Sequence, residues 1–340
     1  MEIVNLVSVN CCGEIGDVII SGAKLPPGET VFEKARFIQS DQKLWNFVLN
    51  EPRGGVFKHV NLIVPSNNPK ADMGFIIMEP MDVPPMSGSN AICVATVLLE
   101  KSIIPIMQEH MEITLEAPGG LIKVKAKCNQ NKVETVQIIN LPSFVVESEK
   151  ELVIDGLGKI SVSTAYGGDS FVLVNNAELN IPIIPQNAAK IVSICSRINK
   201  AANEQIGFSH PLVPNINSIS FCMLMDPVEK TQQGVKIARN TVCIRPKKLD
   251  RSPCGTGSSA RLAYMYHKNE ISLNEKFISE SILKTRFECQ IREEQKIKNM
   301  SCIIPEIKGQ AWITGEQSLY ISDDIPFPMG YRLTDTWPEN

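Results

Sequence analysis

Residues 84–99 read PPMSGSNAICVATVLL, and residues 253–260 read PCGTGSSA. Set in register, Ser87 falls on Cys254, Gly88 on Gly255 and Ser89 on Thr256 at one constant offset. A proline stands just ahead of each turn, and a run suited to a helix follows. The tiny residues mark a helix N-terminus, whose first amides have no intrahelical partner. Behind the first turn Val94, Ala95, Val97, Leu98 and Leu99 leave a helix apolar nearly all round. Such a helix must be enclosed rather than lie on a surface. Met twice in one chain, this arrangement predicts an α/β (α+β) fold of two pseudo-symmetric halves, each with a sheet wrapped around a central helix.

The flanking sequence supplies the strands. DVIIS (17–21), HVNLIVP (59–65), MGFIIME (73–79), MEITLEAP (111–118) and GLIKVKAKC (120–128) read as strands of an antiparallel or mixed sheet. KVETVQIINLPSFV (132–145) adds one or two more. The pattern restarts after residue 150, where LVIDGLGKISVSTAYGGDSFVLV gives two or three strands joined by glycine turns. In NAAKIVSICSRINKAANEQIG (187–207), Ala189, Ile191, Val192, Ile194 and Cys195 recur at helical spacing, and Gly207 stops the run. The expected domains are 1–148, carrying the Ser87 turn, and 149–340, carrying the Cys254 turn, with the last strands able to return to the first half.

Composition narrows the function classes. A chain of 340 residues with 43% hydrophobic content can bury two ordinary cores. The net charge of −3 and the absence of a long basic run argue against nucleic acid as a partner. No stretch approaches the roughly 18 apolar residues of a membrane helix. No basic segment precedes the apolar residues of the N-terminus, so no secretory signal is read and the expected location is cytoplasmic.

The ten cysteines are scattered without a CxxC, as buried thiols of a reducing compartment are. Cys11 and Cys12 read as core residues of an early strand, and Cys93, Cys195, Cys222 and Cys243 as buried. The four histidines are too dispersed for a metal cluster, so no metal is expected. His210, before Pro211, reads as a surface loop residue, and the KVKAK and RPKK charges as solvated strand faces.

The chemistry lies in the two turns. Glycine lets a ligand approach the backbone closely, and the positive end of a helix favours an anion. Two such ends could clamp one carboxylate, with Ser87 and Cys254 flanking it. A helix N-terminus lowers a thiol's pKa, which makes Cys254 the candidate reactive group. Ordinary N-capping is the plainer alternative. GTGSSA (255–260) also matches a dinucleotide fingerprint, but the charged approach RPKKLDRSPC is wrong for the buried strand that must precede one.

DRSPCGTGSSARLA (250–263) resembles the second active-site motif of the proline racemase family, which includes proline racemases, 4-hydroxyproline 2-epimerases and trans-3-hydroxy-L-proline dehydratases. CCGEIGDVIISG (11–22), NEPRGG (50–55), LPSFV (141–145), TAYGGDSF (164–171) and AWITGEQSLYISDDIPFPMGYRL (311–333) follow in family order. MSGSN (86–90) corresponds to the first active-site motif, usually Met-Cys-Gly-His. The resemblance implies a diaminopimelate epimerase-like fold with the site in the cleft between the halves, and no cofactor. It places the two catalytic residues on Ser87 and Cys254, and the amides that hold the substrate carboxylate on Gly88, Ser89, Gly255 and Thr256. Asp250 would contact the substrate amine and Phe171 the pyrrolidine ring. The implied partner is a small imino acid, and a homodimer is the family's expectation. In three places the chain departs from the pattern: Ser87 replaces a cysteine, Ser89 a histidine, and Asn10 the family's early histidine.

Racemisation needs a base on one face of Cα and an acid on the other, exchanging roles. A serine hydroxyl is a poor base without help, and no helper adjoins Ser87 in sequence. In trans-3-hydroxy-L-proline the 3-hydroxyl lies on the same face as the Cα hydrogen, so its loss is a syn elimination that one residue can serve. The sequence reading is therefore dehydration of trans-3-hydroxy-L-proline to Δ1-pyrroline-2-carboxylate, with side 2-epimerase activity. The alternatives are a 4-hydroxyproline 2-epimerase or proline racemase, and a non-catalytic imino-acid binder.

Overall fold

A computed structural model describes residues 2–322 and 324–337. By its internal contacts the chain divides into two compact units, one made of residues 1–138 with 309–340 and the other of 139–308. The first unit thus stops ten residues short of 148 and takes in the last strand of the chain.

In the first unit, strands Ala311–Ile321 and Glu2–Cys11 pair antiparallel, and Glu2–Cys11 pairs antiparallel with Asp17–Ser21. Asp17–Ser21 runs parallel to Val60–Val64, which is antiparallel to Met73–Met78. Met73–Met78 is parallel to His110–Ala117, which forms a hairpin with Gly120–Asn129. Helices α1 (Val31–Asp41) and α2 (Lys43–Leu49) bury Val31, Ala35, Ile38, Trp45 and Val48 with Val4, Leu6, Ile19, Val60 and Leu62 of the sheet. Helix α3 (Gly88–Glu100) packs on strands Glu2–Cys11, Ala311–Ile321, Asp17–Ser21 and Val60–Val64, and all its residues from Gly88 to Leu99 are buried. With both faces covered, the inner strands read as near-continuous apolar runs.

The second unit repeats the plan. Strand Phe144–Ile154 is antiparallel to Gly158–Tyr166, and that to Ser170–Asn175. Ser170–Asn175 is parallel to Phe221–Met225, which is antiparallel to Lys236–Ile244. Lys236–Ile244 is parallel to Phe277–Glu280, which is antiparallel to Arg286–Ile297. The order of parallel and antiparallel neighbours therefore matches the first unit strand for strand. Helix α4 (Ala188–Gln205) occupies the place of α1 and α2, and helix α5 (Gly255–His267) the place of α3.

Strand alternation sorts the two cores. Val172, Val174, Cys222 and Leu224 pack with Ile191, Ile194 and Cys195 of α4, whereas Phe171, Leu173, Phe221 and Met223 pack with Cys254 and Ala260 at α5.

Both small-residue turns start helices, and the 187–207 helix lies where its periodicity puts it. The helices α1 and α2 are additions to the sequence reading. Lys123, Lys125 and Lys127 stand on a solvated strand face, but Lys248 of the RPKK stretch is buried. His210 corrects the reading of a surface residue. It is buried, edge-on to Tyr166 at 4.6 Å and to Phe144 at 5.3 Å, and that burial lowers its pKa. All ten cysteines are free thiols and buried. Among the described residues no helix is long and apolar enough to cross a membrane, and no group of three or more His, Cys, Asp or Glu could hold a metal ion.

Candidate active site

Each unit places one predicted site residue at the head of its enclosed helix. In the first unit Ser87 occupies the N-cap position of α3 with an extended backbone. The first backbone bond of the helix runs from the Ala91 amide to the Ser87 carbonyl, so the amides of Gly88 and Ser89 lie ahead of the ladder. The Ser87 hydroxyl does not cap the helix. It accepts a 2.9 Å hydrogen bond from Nδ2 of Asn90, three residues on, and lies 3.5 Å from the Ser89 hydroxyl.

Asn90 is itself held. Its Oδ1 accepts from Nδ2 of Asn61 at 2.8 Å, and its Nδ2 also lies 3.4 Å from Nδ1 of His59. Oε1 of Glu79 stands 3.6 Å from the same His59 nitrogen. Asn61 also donates to the Asp17 carbonyl, and the Asp17 carboxylate meets Lys58 at 3.2 Å. Burial raises the Asp17 pKa against the pull of Lys58. His59, Asn61 and Asn90 are each at most 3% exposed. They are thus a buried polar layer on the α3 side of a sheet whose other face, through Val60 and Leu62, is apolar. Gly16 is required beside it, because a Cβ there would come within 2.9 Å of Asn90 Oδ1 and 2.8 Å of Cys93 Sγ.

In the second unit Cys254 is the N-cap of α5, and its sulfur accepts from the Gly257 amide at 3.3 Å. Its backbone sits at φ 64°, a strained conformation for a residue with a β-carbon. The first backbone bond runs from the Ser258 amide to the Cys254 carbonyl, leaving the Gly255 and Thr256 amides ahead of the ladder. Thr256 Oγ1 is 3.6 Å from the sulfur.

The turn is braced from its own sequence. Asp250 Oδ1 accepts from both the amide and the hydroxyl of Ser252 at 2.8 Å, and Ser252 Oγ accepts from the Cys254 amide at 3.1 Å. Behind it, Asn240 and Ser258 both donate to the Pro253 carbonyl, and Ser279 bridges them. Phe171 belongs to the cluster that buries Cys254, with its ring 5.6 Å from that of Phe221. It is fully buried beside Cys254, with none of its ring open to solvent.

The electrostatics correct one expectation. The start of a helix should lower the Cys254 pKa, yet the thiol lies well above its ordinary value. Burial is the main cause and the Asp250 charge adds to it; the Gly257 amide and the Thr256 hydroxyl pull the other way and lose. Ser87 does have a side-chain neighbour, Asn90, with His59 behind it, but Asn90 donates to the serine oxygen and so gives it no base. The signal for this layer was present in HVNLIVP, where two polar residues at 59 and 61 share one face of an otherwise apolar strand.

A family model described as proline racemase matches residues 6–332. Among solved structures, a hydroxyproline epimerase from Agrobacterium vitis with bound trans-4-hydroxy-L-proline aligns with a TM-score of 0.92 and 32% identity, covering 99% of this chain and 96% of that one. A probable proline racemase from Agrobacterium radiobacter with bound carbonate gives a TM-score of 0.91 at 32% identity, covering 99% and 98%. A phenazine biosynthesis protein of the PhzF family from Bacillus anthracis, at 13% identity and a TM-score of 0.58, covering 94% and 100%, shares the fold alone. With two matched half-plans, a protic side chain heading each enclosed helix, and a family match over nearly its whole length, the chain belongs to the proline racemase family.

Proposed function

We propose that this protein moves the Cα proton of a hydroxyproline, each unit contributing one proton-handling residue, and that 2-epimerisation of 4-hydroxyproline is its main reaction. The observation that carries the reading is the matched pair Ser87 and Cys254, each heading a helix whose first amides precede the backbone ladder. In the proposed complex the amides of Gly88, Ser89, Gly255 and Thr256 hold the carboxylate, Asp250 takes the ring ammonium, and Phe171 packs on the ring. Asp250 then matters twice. A cationic nitrogen beside it would cancel the charge that helps keep the Cys254 thiol protonated, so substrate binding would ready the base. The similarity to an epimerase that carries trans-4-hydroxy-L-proline supports epimerisation over the dehydration that the sequence reading ranked first.

Dehydration of trans-3-hydroxy-L-proline stands as a second reading, favoured by Ser87 itself. In that reaction the Cα proton leaves, the C3–O bond breaks, and the hydroxyl departs as water with one added proton. The resulting enamine isomerises to Δ1-pyrroline-2-carboxylate. A hydroxyl beside the ring suits the delivery of that proton.

Incubation in deuterium oxide with each substrate separates the readings. Label at Cα of 4-hydroxyproline, with appearance of the 2-epimer by chiral chromatography, is expected. Loss of water from the 3-hydroxy substrate without epimerisation of the 4-hydroxy substrate would replace the first reading by the second. Binding without exchange or water loss would leave a non-catalytic binder.

A further inference from the structure

The buried layer behind Ser87 gives that residue a direction. An Asn90 Nδ2 hydrogen is spent on the Ser87 oxygen, so the serine acts there as acceptor and keeps its own proton for another partner. Asn90 cannot take that proton, because its only acceptor atom, Oδ1, is turned to Asn61. The orientation of the amide follows from its neighbours. Asn61 fixes Oδ1 from one side; on the other, His59 Nδ1 lies 3.4 Å from Nδ2 and accepts the second amide hydrogen in the tautomer that leaves Nδ1 unprotonated, with Glu79 Oε1 3.6 Å from the same nitrogen. A hydrogen bond donated to an oxygen favours its deprotonated form, which makes the hydroxyl a stronger acid and a weaker base.

We propose that Asn90, oriented by Asn61 and His59, is the positioning residue that makes Ser87 the proton donor of the pair. The inference rests on the proton-transfer reading above and deepens it by assigning the two roles. In the forward step Cys254 takes the Cα proton and the Ser87 O–H bond breaks. The serine proton passes to Cα of the substrate from the other face. The electron pair stays on the Ser87 oxygen, where the Asn90 N–H supports it. The pair is reset when the step runs in reverse, or by exchange with solvent in which Ser87 regains a proton and Cys254 gives one up.

The test has two arms. In the first, the side-chain amide of Asn90 is followed by NMR in the whole protein. Its two Nδ2 protons are expected to exchange slowly with solvent, one shifting in Ser87→Ala and the other in His59→Phe. Resonances unmoved by both variants would overturn the proposal, and this readout needs no turnover. In the second, Asn90→Asp keeps the size of the side chain and removes the donor. Its kcat should fall about 10- to 100-fold, the range for a hydrogen bond to a charged group, with KM nearly unchanged.

His59→Phe should show the same split, and His59→Asn, which keeps an acceptor near the Nδ1 position, should restore most of the loss. Combined with Ser87→Ala, the Asn90→Asp penalty should vanish, since the two act as one unit. Equal losses in His59→Asn and His59→Phe, or a penalty of Asn90→Asp that persists without the serine hydroxyl, would show a merely structural layer. If wild-type protein turns over no hydroxyproline, the proposed function fails while the NMR arm still decides the network.

Discussion

A thiol enclosed beside a carboxylate gives up its proton reluctantly, and Cys254 is held in that state by burial first and Asp250 second. Removing the charge takes away one of the two causes that raise the thiol. Asp250→Asn should therefore move its titration to lower pH and speed alkylation by iodoacetamide at a fixed alkaline pH, read peptide by peptide by mass spectrometry. An unchanged rate would mean that the carboxylate does not act on the sulfur. The same experiment carries an internal comparison. Cys12 is as enclosed as Cys254, at 6% exposure each, but the hydrogen bond from Cys11 brings its pKa down to about 7. Near neutral pH Cys12 should be labelled first, because its thiol ionises at lower pH than that of Cys254.

Ser87 and Cys254 were legible as a pair because small residues before an apolar helix are a local pattern. The sign of the Cys254 shift was not, since it depends on how completely the fold closes over the turn. Nor was the Ser87–Asn90–His59 layer, which joins a helix start to a strand start 28 residues earlier, a spacing that no helix or strand period relates.

Among the elements, α5 shows how closely a strand connection can be pressed on a helix start. A Cβ on Gly167 would lie 2.1 Å from the Thr256 carbonyl oxygen and 2.4 Å from the Ala260 amide nitrogen. Both are backbone atoms, so neither can swing aside. Asn140 ties the same place together, donating to the Gly167 carbonyl and to the Ser259 hydroxyl at 2.9 Å each. Gly167→Ala should lower the unfolding free energy by about 1–3 kcal/mol, as overpacked sites do, measured by denaturant titration. A neutral outcome would mean that the 166–169 turn can back away from α5.

The glycines of TAYGGDSF read as a turn in the sequence, but a turn motif does not say which helix it leans on. Helices α1 and α2 illustrate the opposite case. Thr30 and Glu33 form a reciprocal capping box, a signature written plainly in the chain. A reading dominated by strands passes over it, and only the core formed by Val31, Ala35, Ile38 and Trp45 shows why the segment must be helical.

At the scale of the molecule, strand Ala311–Ile321 lies beside Glu2–Cys11, with Glu2 opposite Ile321 and Cys11 opposite Ala311. It thereby supplies the neighbour that Phe144–Ile154 gives Gly158–Tyr166 in the second unit. The internal repeat is complete only with this late strand, which is why aligning the two turns revealed the symmetry but could not count the strands. Ending the chain after Lys308 would leave the Glu2–Cys11 strand, with Val4, Leu6, Val7 and Val9, as an open apolar edge. Exposed edges of that kind recruit other chains. The truncated protein should aggregate, seen as loss of the soluble fraction on expression, and a soluble monomer with wild-type thermal unfolding would contradict this.

The same arrangement sets an order in time. Residues 139–308 form one continuous unit and can close as soon as the last of them has been synthesised. The unit that holds Ser87 has all but one of its strands made early, yet its sheet stays open until the strand beginning at Ala311 arrives. Domains generally complete in the order in which they emerge from the ribosome. Here the half translated first is the half that finishes last, and through most of synthesis the nascent chain carries a serine site without its finished sheet.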